Sequence, residues 1–216
     1  MKRPLLLGHR GARASHHIPE DTLTSFELCL EHGCDGFEFD VRRSADGQAV
    51  ICHDPVVQGR EISRTPSANL RLPMLDEVLH SFGGRAFLDI ELKVSGLECN
   101  TLALLRERTV QERHVVSSFL PEVLSALHKL DSTVPLGLIC ETRAQLNRWR
   151  DLSVAWVMPQ FDLVDSVLFG ELQAAGIKIM VWTVNQEARL REFAKLGVHA
   201  VISDETELAA RVLFAP

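Results

Sequence analysis

The chain has 216 residues, 46% hydrophobic and 24% charged, with a formal net charge of −6, the make-up of a globular protein able to bury a substantial core. The acidic balance and the lack of any long basic run argue against nucleic acid as its main partner, and no apolar run approaches the length needed to span a bilayer. Five cysteines, Cys29, Cys34, Cys52, Cys99 and Cys140, with no C-x-x-C spacing argue against a disulfide framework or a cysteine zinc site.

The chain starts MKRPLLLGHRG. Its apolar run, Leu5 to Leu7, is too short for the core of a secretory signal, so a cytoplasmic location without stable membrane association is expected. Leu5–His9 reads as a strand. A helix follows near Thr22–His32, with Leu23, Phe26 and Leu30 on one face and Gly33 as its stop. In the next strand, Gly36–Val41, residues two apart share a face. Glu38 and Asp40 therefore point one way, and Phe37, Phe39 and Val41 the other.

The segment VRRSADGQAVICHDP holds two extended runs with no helix between them. Asp46-Gly47 is a two-residue hairpin signal. With those two as the loop, Ala45 pairs with Gln48 and Asp40 lies opposite His53. Residues 42–73 are then expected to form a small insertion. Beyond it come a helix at Leu75–Phe82 and a strand at Ala86–Leu92, in which Asp89, Glu91 and the following Lys93 share a face.

Helices are expected at Glu98–Arg108, Pro121–Leu130, Arg143–Arg150, Asp165–Ala175, Gln186–Leu196 and Thr206–Phe214. Strands are expected at His114–Ser118, Leu136–Cys140, Val154–Met158, Lys178–Thr183 and Ala200–Ser203. Gly33, Gly176 and Gly197 each follow a helix and precede a strand, as a left-handed cap requires. This alternation implies a parallel sheet. Eight units make an α/β protein of the (β/α)8 TIM barrel class with a small insertion after strand 2, in a single domain over residues 1–216. An open doubly wound sheet is the alternative. No G-x-G-x-x-G follows the first strand, which weakens a dinucleotide reading.

Active sites of such barrels lie at the carboxyl ends of the strands. Those ends carry His9, Glu38, Asp40, Glu91 and Lys93, with Asp89 one step deeper as a supporting acid. Three carboxylates without cysteine suit one hard divalent cation, Mg2+ or Ca2+. Arg10 and Lys93 are placed to offset phosphate charge. His9 and His53 are candidate proton-transfer groups. Asp204 reads as a helix cap before Thr206 and stays outside this set.

HRG (9–11), PEDT (19–22), FEFDV (37–41), DG…HD (46–54), IELK (90–93), SSF (117–119), WTVN (182–185) and ISD (202–204) occur in that order. Together they resemble the glycerophosphodiester phosphodiesterase family over essentially the whole chain. The resemblance implies metal-dependent hydrolysis of glycerophosphodiesters, such as glycerophosphocholine or glycerophosphoethanolamine, to glycerol 3-phosphate and an alcohol. It implies His9 and His53 as acid and base, Glu38, Asp40 and Glu91 as metal ligands, Arg10 and Lys93 on the phosphate, and Trp182 lining a glycerol pocket.

The sequence departs from the family pattern at Asp21, where asparagine is commoner, and in the loop ARASHHI and the reduced stretch after HD, both at the pocket rim. A lysophospholipase D-like activity and a non-catalytic phosphate-binding protein are the alternatives. The retained pair His9 and His53 argues against the second.

Overall fold

The computed structural model describes residues 3–108 and 113–214. Eight parallel strands close a barrel: β1 (Leu5–His9), β2 (Gly36–Arg43), β6 (Phe87–Leu92), β7 (His114–Ser118), β8 (Leu136–Cys140), β9 (Trp156–Pro159), β10 (Lys178–Val181) and β11 (Ala200–Ser203). β1 pairs with both β2 and β11, which joins the two ends of the sheet. Helices α1 (Leu23–Glu31), α2 (Leu75–Phe82), α3 (Glu98–Glu107), α4 (Pro121–Leu130), α5 (Arg143–Leu146), α6 (Ser166–Ala174), α7 (Glu187–Leu196) and α8 (Thr206–Phe214) follow successive strands. This is the (β/α)8 TIM barrel.

The strand period of two divides the apolar side chains between two cores. Phe37, Phe39 and Val41 of β2 pack outward against helices, where Phe26 of α1 stacks on Phe37 with ring centroids 4.2 Å apart and Phe82 of α2 meets Phe37 edge-on at 5.1 Å. The lumen is filled by a separate cluster that includes Leu7, Phe87, Val115, Ile139, Trp156 and Met158. Polar groups occupy the next layer toward the carboxyl ends of the strands. Parallel register sets His9 beside Glu38, Glu38 beside Asp89, and Asp40 beside Glu91.

Some elements differ from their expected bounds. The helix expected over Arg143–Arg150 is α5, ending at Leu146, and a 3-10 turn over Asn147–Asp151. The sixth barrel strand runs Trp156–Pro159 and the seventh stops at Val181. Between β2 and α2 lie β3 (Ala49–Ile51), a two-stranded ribbon of β4 (Val56–Val57) and β5 (Arg60–Glu61), and two 3-10 turns at Ile62–Arg64 and Ser67–Asn69.

The hairpin register corrects the expectation. β2 pairs with β3 as Val41 to Ile51 and Arg43 to Ala49, so Asp40 lies opposite Cys52, whose N–H donates to the Asp40 carbonyl at 2.9 Å, and not opposite His53. The turn spends three residues, Ala45-Asp46-Gly47, rather than two. Gly47 takes the left-handed conformation at φ +80°, and its N–H donates to the Ser44 carbonyl. The Ser44 hydroxyl accepts from Gln48 N–H at 3.0 Å and donates to Asp46 at 2.5 Å, which stabilises the longer loop.

Candidate active site

At the carboxyl end of the barrel is a cavity of about 330 Å³. His9, Arg10, His53 and Lys93 line it with Glu38, Asp89 and Glu91; the opposite wall is Phe119, Ile139, Met158, Trp182 and Ile202, with Glu141 also on the lining. His53 thus reaches the cavity although it does not face Asp40. The strand stops at Ile51, and the His53 carbonyl accepts from Arg42 Nε at 2.7 Å. His9 is the more enclosed histidine, with 15% of its side chain exposed against 34% for His53.

Glu38, Asp40 and Glu91 converge so that one carboxylate oxygen of each lies within 4.8 Å of the others. All three are buried, and Asp40 does not itself line the cavity. Arg10 and Lys93 are the cations among them. Arg10 Nε is 3.1 Å from Asp40, and Arg10 N–H donates to Glu38 Oε2 at 3.1 Å. Lys93 Nζ is 2.6 Å from Glu91 and 3.2 Å from Asp40. The left-handed pair Arg10 (φ 54°) and Gly11 (φ 83°) makes the turn from which Arg10 reaches these acids.

Burial, and then the charge on Asp40, push the Glu38 carboxyl well above the usual range. The same two causes, opposed by Lys93, push Glu91 up to about 7. Asp89 is also pushed up to about 7 by burial, although Ser117 donates to it at 2.6 Å. Glu38 Oε1 is buried without a hydrogen-bond partner among the described residues. Crowded acids with a bare buried oxygen fit a hard divalent cation, which would offset their repulsion and satisfy that oxygen. Below them Asp21, at φ 57°, accepts from Asp40 N–H at 3.4 Å; burial and then Asp40 push its carboxyl well up.

Asp204 is the residue whose role the sequence reading missed. It does not cap α8. Its Oδ1 lies 2.7 Å from His9 Nδ1 and accepts from Arg13 at 3.2 Å, and its Oδ2 accepts from Asn185 Nδ2 at 2.6 Å. Glu20 joins Arg10 (2.7 Å) to Arg13 (2.6 Å). Asp204 lies two residues beyond Ile202, on the face that points into the lumen, and that periodicity was the available signal. Trp182 lines the cavity as expected; its indole N–H donates to the Met158 carbonyl at 2.7 Å and Phe119 meets it edge-on at 5.7 Å.

The sequence profile described as the Glycerophosphoryl diester phosphodiesterase family matches residues 9–78 and 68–208. The chain belongs to this family. It is a phosphoric diester hydrolase of the glycerophosphodiester phosphodiesterase class. A glycerophosphodiester phosphodiesterase of Caldanaerobacter subterraneus subsp. tengcongensis is 27% identical over 95% of this chain and 96% of that protein. A solved Oleispira antarctica phosphodiesterase, in complex with the product sn-glycerol-3-phosphate, superposes with a TM-score of 0.86 at 26% identity, over 99% of this chain and 98% of the other. The glycerophosphodiester phosphodiesterase of Agrobacterium tumefaciens str. C58 shares the fold, with a TM-score of 0.85 at 23% identity over 97% and 98% of the two chains. Among the described residues no helix is long and apolar enough to cross a membrane.

Proposed function

We propose that this chain hydrolyses glycerophosphodiesters such as glycerophosphocholine or glycerophosphoethanolamine to glycerol 3-phosphate and an alcohol, with one Mg2+ or Ca2+ held by Glu38, Asp40 and Glu91 and with His9 and His53 moving the protons. The observation that carries this reading is the convergence on one cavity of two histidines, two cations, and Glu38 and Glu91 of a buried three-carboxylate cluster completed by Asp40 behind the lining. The product-bound Oleispira relative supports a glycerophosphate substrate.

When bound, the cation polarises the phosphoryl group and offsets charge developing on it. Arg10 and Lys93 present N–H donors to the phosphate oxygens and orient the diester. One histidine removes the proton of the nucleophile, and the other protonates the leaving alkoxide. The nucleophile is the glycerol 2-hydroxyl, giving a cyclic phosphate that water then opens; direct attack by water uses the same two proton carriers. Phe119 and Trp182 hold the carbon skeleton and exclude bulk water from that side.

The test is incubation with glycerophosphocholine and with a lysophospholipid, each with Mg2+, Ca2+ or a chelator, measuring glycerol 3-phosphate and choline. Metal-dependent release of glycerol 3-phosphate from glycerophosphocholine is expected. No metal-dependent release from either substrate would overturn the proposal, and release from the lysophospholipid alone would replace it with the lysophospholipase D reading.

A further inference from the structure

The hydrogen bonds around His9 define its protonation pattern. Asp204 Oδ1 accepts from an Arg13 N–H, and Oδ2 accepts from the Asn185 amide. Both partners can only donate through those atoms, and although burial would raise the Asp204 carboxyl, its bonds with His9 and Asn185 and the charge of Arg13 hold it below the usual range, so it faces them as an ionised acceptor. The orientation of Asn185 is fixed in turn, because its Oδ1 accepts from Asp204 N–H at 2.9 Å and from the Ser203 hydroxyl at 3.2 Å. The 2.7 Å contact from His9 Nδ1 to Oδ1 must then carry its proton on the imidazole. In the neutral ring that is the only proton, so Nε2 is bare. Nε2 lies 3.9 Å from Glu38 Oε2, beyond hydrogen-bond distance, with the cavity in front of the ring.

We propose that Asp204, locked in place by Asn185 and Arg13, is the positioning residue that fixes His9 in the Nδ1–H tautomer with Nε2 free to take a proton in the cavity. The two histidines are built unequally. Among the described residues the Nδ1 of His53 meets only the neighbouring Asp54 at 2.8 Å, and that carboxylate is 74% exposed. His9 is instead anchored by residues from three separate segments: Arg13 after β1, Asn185 after β10 and Asp204 after β11. Through Glu20 the same chain of ion pairs reaches Arg10, so the proposed base and the proposed phosphate donor share one support.

The kinetic part of this inference rests on the proposed function; the tautomer does not. The test combines 15N-histidine NMR at pH 8, with the His9 signals assigned through His9→Asn, and steady-state kinetics on glycerophosphocholine. Wild-type His9 is expected to show protonated Nδ1 and bare Nε2. Asp204→Asn is expected to shift the ring toward the Nε2–H form and to lower kcat by about 100-fold. KM should stay within about threefold, as for a group that acts in proton transfer and not in binding, and calorimetric affinity for the divalent ion should be unchanged. Asn185→Ala should have the same pattern at about tenfold, and it carries the test if the Asp204 variant does not fold. Asp204→Glu should recover part of kcat.

Bare Nδ1 in the wild type, or an unchanged tautomer and kcat in both variants, would overturn the inference. So would a kcat loss matched by loss of metal binding, which would mark a structural role. If the wild type turns over no glycerophosphodiester, the proposed function fails while the spectra still decide the role of Asp204.

Discussion

Glu38 and Asp204 are both acids near His9, yet their surroundings hold them in opposite states. Burial and the neighbouring Asp40 raise Glu38, and among the described residues no donor reaches its Oε1. For Asp204, burial is outweighed by the bonds from His9 and Asn185, which hold its carboxyl below the usual range. A carboxyl depressed in the folded state adds stability that is fully present above the ordinary aspartate value, about pH 4, and is lost as the pH falls through the folded value. The stability gap between wild type and Asp204→Asn, from urea melts, should therefore be widest at neutral pH and shrink below about pH 4; a gap that widens on acidification would contradict this. At Glu38, replacement by glutamine should weaken divalent-ion binding at least about tenfold by calorimetry, since it would remove one of the three proposed anionic ligands. Unchanged affinity would remove Glu38 from the metal site.

His9, Glu38, Asp40 and Glu91 were legible because strand alternation and the strand-end rule are local signals. The role of Asp204 was not. Its partners Arg13 and Asn185 come from distant segments, and an acid just before a helix also satisfies the simpler reading of a cap.

The β2–β3 hairpin shows the limit of local reasoning among the elements. Asp46-Gly47 signalled the turn, but a left-handed glycine serves a two-residue loop and a three-residue loop alike. The choice depended on Ser44 and on Ser67, which donates to Asp46 through N–H at 3.0 Å and through its hydroxyl at 2.9 Å from 21 residues away. Asp46→Ala should loosen this hinge, seen as faster proteolysis or hydrogen exchange within residues 44–74, with the barrel melt unchanged. Equal protection in both proteins would show that Asp46 does not hold the turn.

Barrel closure makes a sharper demand at Gly36, where a Cβ would come within 1.8 Å of the Phe87 carbonyl oxygen on the paired strand. Backbone cannot yield as a side-chain tip can, so Gly36→Ala should cost about 1–3 kcal/mol or more in a denaturant melt. A neutral substitution would mean that β2 and β6 tolerate a shift at that point.

For the molecule as a whole, the eightfold βα alternation was readable from apolar periodicity and helix-stopping glycines. The barrel then brings together side chains far apart in sequence, such as His9 and Asp204, separated by 195 residues. Its lower lumen is apolar, and its upper layer carries the charged groups. The outer core lies on the opposite face of the strands from that layer, and Phe26→Ala, which removes the ring stacked on Phe37, should cost about 3–5 kcal/mol of stability.

The central claim is that His9 and His53 transfer protons above a metal held by Glu38, Asp40 and Glu91. It is tested most directly by turnover of glycerophosphocholine in metal-saturated wild type, His9→Ala and His53→Ala, with divalent-ion affinity measured on the same samples. Each variant should lose about 100-fold or more in kcat while binding the ion as tightly as wild type. Full turnover in either histidine variant, with the ion bound, would contradict the account.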